Sequence, residues 1–146
     1  MSVGRICTRE VDTVAFDESI FAAAQRMRDR QVGTLVVVDE SRPVGMVTDR
    51  DLTVRVLAAG IDPKTIRVSE VMTPSPTTIR EEDSTETALG YMRAGRFCRL
   101  PVVGPGGELL GLIALDDVLE LVAEELTEIG QLLRREAPHR WLGRQS

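Results

Sequence analysis

The sequence predicts an α+β fold of two β-α-β-β-α repeats packed about a pseudo-two-fold axis, with a C-terminal helical extension. Three observations predict it. The chain aligns on itself at a displacement of 65 residues, which lays Met27 over Met92. Within each copy the hydrophobic period switches between helical and extended spacing in the same order. The 42% hydrophobic content is supplied mostly by Val, Leu, Ile and Ala, with aromatics at only 3%. A copy of roughly 60 residues buries too little apolar surface to stand alone, so the two are expected to cover each other's sheets. Such a stack leaves two equivalent grooves.

The self-alignment runs through separated blocks. Ser19-Ile20-Phe21-Ala22-Ala23-Ala24-Gln25-Arg26-Met27-Arg28 parallels Ser84-Thr85-Glu86-Thr87-Ala88-Leu89-Gly90-Tyr91-Met92-Arg93. Cys7-Thr8 falls over Met72-Thr73, Thr13-Val14 over Thr78-Ile79, and Val37-Val38 over Val102-Val103. After one inserted residue near Leu109 the displacement is 66, and Gly45 to Asp51 lies over Gly111 to Asp117.

Each element follows from local chemistry. Thr13 to Phe16 and Thr78 to Arg80 are expected to be extended. The caps Asp17 to Ser19 and Asp83 to Ser84 then start amphipathic helices, with Ile20, Ala23, Ala24 and Met27 inward in the first copy. The β-branched runs Leu35 to Val38 and Val44 to Val47 read as strands joined by a turn at Asp39 to Pro43. Leu100 to Val103 and Leu110 to Ala114, joined at Gly104 to Glu108, repeat that pattern. Second helices begin at Asp49 or Arg50, and at Asp116. In chain order the first repeat is 1–60, a linker with Pro63 is 61–67, the second repeat is 68–123, and 124–146 forms a helix and tail.

The extension reads as one helix from Asp117 to Arg135, ended by Pro138. Leu119, Val122, Leu126, Ile129 and Leu133 make an apolar stripe at steps of three and four. Glu120, Glu124, Glu125 and Glu128 occupy other faces, while Arg134 and Arg135 suit the C-terminal end of the dipole. The stripe packs on its own domain or on a second copy, and Trp141 with Arg140 and Arg144 could anchor either contact.

Charge and composition exclude several classes. A net charge of -5 and a pI near 5.0 give no field favouring nucleic acid or an anionic membrane. Arg26, Arg28 and Arg30 read as a solvated helix face. No apolar run is long enough for a membrane helix, and no signal segment leads the chain, so a cytoplasmic address is expected. There Cys7 and Cys98 are reduced thiols, too few for a disulfide framework or zinc site. The sole histidine, His139, has no second metal ligand nearby. No Ser-His-Asp set, metal cluster, Walker loop or Rossmann fingerprint is present. Glu81-Glu82 and Asp116-Asp117 sit at caps, so an enzyme is not expected.

Gly45-Met46-Val47-Thr48-Asp49-Arg50-Asp51-Leu52, its counterpart at Gly111, the Val71-Met72-Thr73-Pro74 opening and Leu100-Pro101-Val102-Val103 together resemble the CBS domain pair, or Bateman module. The resemblance spans residues 5 to 123. It implies a regulatory module without chemistry or a required cofactor, able to bind AMP, ADP, ATP, NAD or S-adenosylmethionine. It also implies a disc-like homodimer, and a partner protein, unidentified here, that senses occupancy. Carried over by position, one nucleotide groove would pair Met46, Thr48 and Asp51 with Met72, Thr73, Thr77, Phe97, Cys98 and Arg99. The second would pair Leu112, Ala114 and Asp117 with Cys7, Thr8, Asp12, Val32, Gly33 and Thr34.

The residue types suit that ligand. An ionised aspartate at a helix start can accept from both ribose hydroxyls, and charge-assisted bonds are strong. A threonine three residues earlier can aim its hydroxyl at phosphate, where the helix's first N–H groups also point. Main-chain groups near Phe97 and Cys98 could read an adenine edge, Met46 and Val32 could sandwich its ring, and Arg50 or Arg99 could neutralise phosphate. Thr-x-x-Asp before a helix is also ordinary N-cap chemistry, so spacing alone leaves both readings open. In the second groove Ala114 replaces Thr48 and Asp12 adds negative charge. That groove is expected to bind weakly, to prefer a ligand without a nearby phosphate, or to stay empty. A scaffold with degenerate grooves is the alternative function. Cys98 reads either as a small buried hydrophobe or as a thiol whose oxidation gates the groove.

Overall fold

The computed structural model describes residues 1–136. The expectations at Pro138, His139, Arg140, Trp141 and Arg144 lie outside the described residues. The chain opens with a short helix, α1 (Val3–Ile6), followed by β1 (Thr13–Ala15), α2 (Ile20–Arg30), β2 (Thr34–Asp39) and β3 (Arg42–Thr48). A tight turn, α3 (Asp49–Asp51), runs into π-helical turns at Leu52–Leu57. The second half comprises β4 (Thr73–Pro74), β5 (Ile79–Arg80), α4 (Thr85–Gly95), β6 (Arg99–Val103), β7 (Leu109–Ala114) and α5 (Leu115–Glu136). The second helix of the second repeat continues into the C-terminal extension as one α5, as the reading of a single helix from Asp117 to Arg135 expected.

Caps explain where the helices begin and end. Ser19 Oγ accepts from the Ala22 N–H at 3.1 Å, and Ser84 Oγ accepts from the Thr87 N–H at the same distance. Both helices stop on a left-handed residue, Gln31 at φ 55° and Arg96 at φ 57°. The helix after β3 differs from expectation. Its bonds widen to the i−5 spacing, as from Ala58 N–H to the Thr53 carbonyl. Val56 is thereby buried in the first core, and Arg55 donates to the Val71 carbonyl at 2.7 Å.

The sheets repeat each other. In the first, β1 runs parallel to β2, β2 antiparallel to β3, and β3 antiparallel to β4. In the second, β5 is parallel to β6 and β6 antiparallel to β7. Each antiparallel pair has an irregularity at the same place, Val37/Val38 and Val102/Val103. The cores match as well: Val14, Ala23, Met27, Leu35 and Val37 of one correspond to Ile79, Ala88, Met92, Leu100 and Val102 of the other. On the strand face away from these cores, Val36 and its counterpart Pro101 are also buried.

The halves exchange their opening segments. Val3 is fully buried in the second core, and Gly4 N–H donates to the Glu81 carbonyl at 3.0 Å. Thr8 then bridges Leu112 in the antiparallel sense, supplying the second sheet's missing fourth position. Reciprocally, Val68 and Val71 are buried in the first core, and Thr73 pairs with Met46. In space, then, residues 1–8 sit with the second half and 68–74 with the first. Nor does the 61–67 segment hang free. The Pro63 and Ile66 carbonyls accept from the N–H groups of Phe21 and Ile20, at 3.0 and 2.9 Å.

Partly buried charge tightens the entrance to α2. Arg26 binds Glu18 through its two terminal guanidinium nitrogens at 2.9 Å, and Glu18 also accepts the Ala15 N–H at 2.7 Å. The guanidinium holds the Glu18 carboxyl below its ordinary range. Among the described residues, no helix is long and apolar enough to cross a membrane.

Candidate functional site

The exchange builds two clefts between the halves, one on either side of the pseudo-axis. The first, about 290 Å³, is walled by Met46 and Thr48 from the end of β3, by the segment Thr73 to Thr77, and by Phe97, Cys98 and Arg99. Strand pairing positions the first two walls: Met46 lies opposite Thr73 in the β3–β4 ladder. The third wall is placed by the left-handed Arg96, which ends α4 and turns the chain into β6. Arg99 is the charged residue on this lining.

Thr48, on the wall, and Asp51 form a reciprocal cap. Asp51 Oδ2 accepts the Thr48 N–H at 2.9 Å, and Thr48 Oγ1 accepts the Asp51 N–H at 3.2 Å. Asp51 Oδ1 sits 3.8 Å from Arg55 Nε, and the carboxylate side chain is 19% exposed. Asp51, expected on the groove wall, is not among the lining residues of the cleft; it sits one hydrogen bond behind Thr48, which is. The N-cap chemistry is real, and it leaves the second carboxylate oxygen turned to the guanidinium of Arg55.

The other cleft, about 350 Å³, is lined by Thr8, Asp12, Val32, Gly33, Thr34, Leu112, Ala114 and Asp117, all of which the sequence singled out. Asp117 Oδ2 accepts the Ala114 N–H at 2.8 Å, repeating the Asp51 geometry without a threonine hydroxyl. Its lining also holds Glu10 and Asp116, whose counterparts in the other repeat are Ser75 and Arg50. The second cleft is thus lined by the carboxylates of Glu10, Asp12, Asp116 and Asp117, with Arg99 as its cation. One of them, Asp12, is already bound to Arg30 at 2.7 Å. These carboxylates do not converge: among the described residues no group of three His, Cys, Asp or Glu could hold a metal ion.

Comparison with known protein families matches residues 3–58 and 68–124 to the CBS domain. The chain belongs to the CBS domain family. Its relatives include an uncharacterised protein of Methanopyrus kandleri, 30% identical over 83% of this chain and 62% of that protein. The CBS domain-containing protein YhcV of Bacillus subtilis is 37% identical over 80% of this chain and 82% of YhcV. The chain spans a smaller share, 21%, of a CBS domain-containing protein of Arabidopsis thaliana. Among solved structures, the CBS domain pair of protein MJ0100, in complex with 5′-methylthioadenosine and S-adenosyl-L-methionine, shares the fold. Its TM-score is 0.73 at 24% identity, covering 84% of this chain and 99% of that one.

Within this CBS pair, Met46, Thr48, Thr73, Thr77, Phe97, Cys98 and Arg99 meet in one cleft. Met72 does not. It packs against the first core, where a Cβ on Gly45 would come within 2.9 Å of its Cγ. Cys7, its counterpart, packs on the second core beneath Gly111. In an extended segment alternate side chains face opposite ways, so Thr73 and Thr8 face the clefts while their predecessors turn inward. Arg50 is exposed and absent from the first lining, which leaves Arg99 as the cation there. Cys98 is exposed, so the reading of it as a buried hydrophobe is corrected.

Sequence reasoning missed Thr34, Pro74, Ser75 and Pro76 in the first cleft, and Glu10, Val11, Arg99 and Asp116 in the second. Thr34 and Arg99 are related by the 65-residue displacement and line both clefts, because β2 and β6 begin beside the pseudo-axis. Applying the displacement to every candidate would have found them.

Proposed function

We propose that the protein is a regulatory sensor that holds an adenine nucleotide (AMP, ADP, ATP or NAD) in the first cleft, without chemistry. Occupancy then acts on a partner protein or through the chain's own assembly. The observation that carries this reading is the contrast between the clefts. Arg99 and Thr34 line both; to these the first adds the hydroxyls of Thr48, Thr73, Ser75 and Thr77, and the second adds the carboxylates of Glu10, Asp12, Asp116 and Asp117. A phosphate is stabilised by the first set and repelled by the second.

In this pose the ribose hydroxyls donate to Asp51 Oδ1, displacing its long contact with Arg55. The phosphate lies toward Thr48 Oγ1 and Arg99. The Phe97 N–H already donates to the Met92 carbonyl, and the Cys98 carbonyl accepts the Leu115 N–H at 2.8 Å. An adenine edge would therefore meet the Cys98 N–H and the Phe97 carbonyl, with Met46 against the ring. The second cleft suits an adenosine derivative that lacks phosphate. A protein of the same fold holds 5′-methylthioadenosine and S-adenosyl-L-methionine.

A thermal-shift series with AMP, ADP, ATP, NAD and S-adenosylmethionine tests the reading. A nucleotide present at 100 times its dissociation constant is expected to stabilise the fold by about 2.7 kcal/mol. Midpoints unmoved by all five ligands would leave the scaffold alternative standing.

A further inference from the structure

Thr34 and Arg99 open β2 and β6, and each lines both clefts. The ladders place them there, Thr34 opposite Thr48 and Arg99 opposite Ala114, beside the two cap sites. Two residues along the same strand faces, Val36 and Pro101 are buried, so positions 34 and 99 are where those faces meet the clefts. Threonine brings no charge. Among the described residues, the guanidinium of Arg99 is therefore the one cation on either lining, and the clefts share it. Its surroundings differ on the two sides. No carboxylate lines the first cleft, whereas four line the second, of which Arg30 holds only Asp12. Among the described residues, neither Arg99 nor Glu10, Asp116 or Asp117 forms a salt bridge. The arginine is exposed on a long, flexible side chain, committed to neither cleft.

We propose that Arg99 sets the ligand charge of both clefts: phosphate in the first recruits its guanidinium, and the second then takes a cationic adenosine derivative. The assignment rests on the nucleotide reading of the first cleft. A guanidinium paired with phosphate is held by charge-assisted hydrogen bonds and no longer offsets the carboxylates on the other side. Those carboxylates then attract a cation more strongly. With the first cleft empty, the same guanidinium is drawn to them itself and competes with a cationic ligand. Two phosphate-bearing ligands would instead contend for one arginine, so the clefts fill with opposite charges. Each ligand must strengthen the other by the same factor, because a coupling free energy is reciprocal. The guanidinium is open to solvent, so raising the ionic strength is expected to weaken the coupling.

Titration calorimetry of the full chain tests it, with AMP as the phosphate ligand and S-adenosylmethionine as the cation. S-adenosylhomocysteine, the thioether analogue without the sulfonium charge, is the control. Saturating AMP is expected to tighten S-adenosylmethionine binding about tenfold, within the usual range of coupling between sites. It is expected to leave S-adenosylhomocysteine binding unchanged. In Arg99→Ala, S-adenosylmethionine is expected to bind without AMP as tightly as the parent binds it with AMP. AMP itself binds that variant more weakly and no longer alters the other ligand. Arg99→Lys, which keeps the charge and loses the planar fork, is expected to retain part of the coupling. AMP that binds the parent without changing its S-adenosylmethionine affinity would overturn the assignment and leave the nucleotide reading standing. So would AMP that weakens S-adenosylmethionine binding, which marks competition for one cleft, or S-adenosylmethionine that does not bind even with AMP present. Equal tightening of S-adenosylhomocysteine, or coupling that survives in Arg99→Ala, would do the same. A parent protein that binds no AMP would overturn both.

Discussion

Replacing Asp51 with alanine is expected to weaken nucleotide binding by about 10- to 100-fold, the loss of a charge-assisted hydrogen-bond pair worth about 1.5–3 kcal/mol. Asp117→Ala is expected to leave that affinity unchanged. The comparison is controlled by the fold itself. Each aspartate accepts the N–H of the residue three before it, at 2.9 and 2.8 Å. Each variant should therefore lose a similar increment of stability, on the order of 1 kcal/mol for a helix cap. Any difference in titration calorimetry then belongs to the ligand. Asp51→Asn, which keeps an acceptor for the Thr48 N–H but loses the charge, is expected to fall between parent and alanine. Equal losses from Asp51→Ala and Asp117→Ala would remove the asymmetry on which the phosphate assignment depends.

The second large effect concerns the glycines that open the two signature blocks. A Cβ at Gly111 would lie 2.8 Å from the Thr8 carbonyl oxygen and 2.9 Å from Cys7 Sγ. At Gly45 the nearest atoms belong to the Met72 side chain, with the Thr73 carbonyl oxygen at 3.1 Å. These are the points where each half's exchanged segment crosses the other half's strand, so the glycine marks the crossing. Main chain cannot swing aside, whereas a thioether can rotate away. Gly111→Ala is expected to cost about 1–3 kcal/mol, the usual penalty for overpacking, and Gly45→Ala less. Urea unfolding measures both, and a Gly111→Ala protein as stable as its parent would contradict the crossing.

Much of this was legible in the residues. The displacement of Met27 onto Met92 revealed the repeat, and Ser19 and Ser84 marked both helix starts because a cap is a local device. The exchange of opening segments was not legible in spacing; only the family resemblance set Thr73 beside Met46 and Thr8 beside Leu112. Val3 and Val68 are apolar residues in short polar stretches, and nothing local says which core receives them. Pairing between residues as distant as Thr8 and Leu112 leaves no trace in spacing. The same gap misplaced Met72, since facing into a core or a cleft depends on the phase of a two-residue strand that only its partner sets. Thr48 and Asp51 were found as a pair, yet their spacing fits a cap and a ligand site equally, and the structure shows the cap already made. The stripe on α5 was read correctly as apolar, but its spacing could not say that its own domain leaves it uncovered.

Cys98 offers the most direct test of the central claim that a nucleotide occupies the cleft between the halves. Cys98 is exposed and is a lining residue of that cleft, while Cys7 is half-buried and its thiol pKa is pushed up by burial. Alkylation followed by mass spectrometry should therefore label Cys98 first. Added nucleotide is expected to slow that labelling in proportion to occupancy, with a midpoint matching calorimetry and no change at Cys7. A nucleotide that binds by calorimetry yet leaves the Cys98 rate untouched would place the ligand elsewhere and contradict the account.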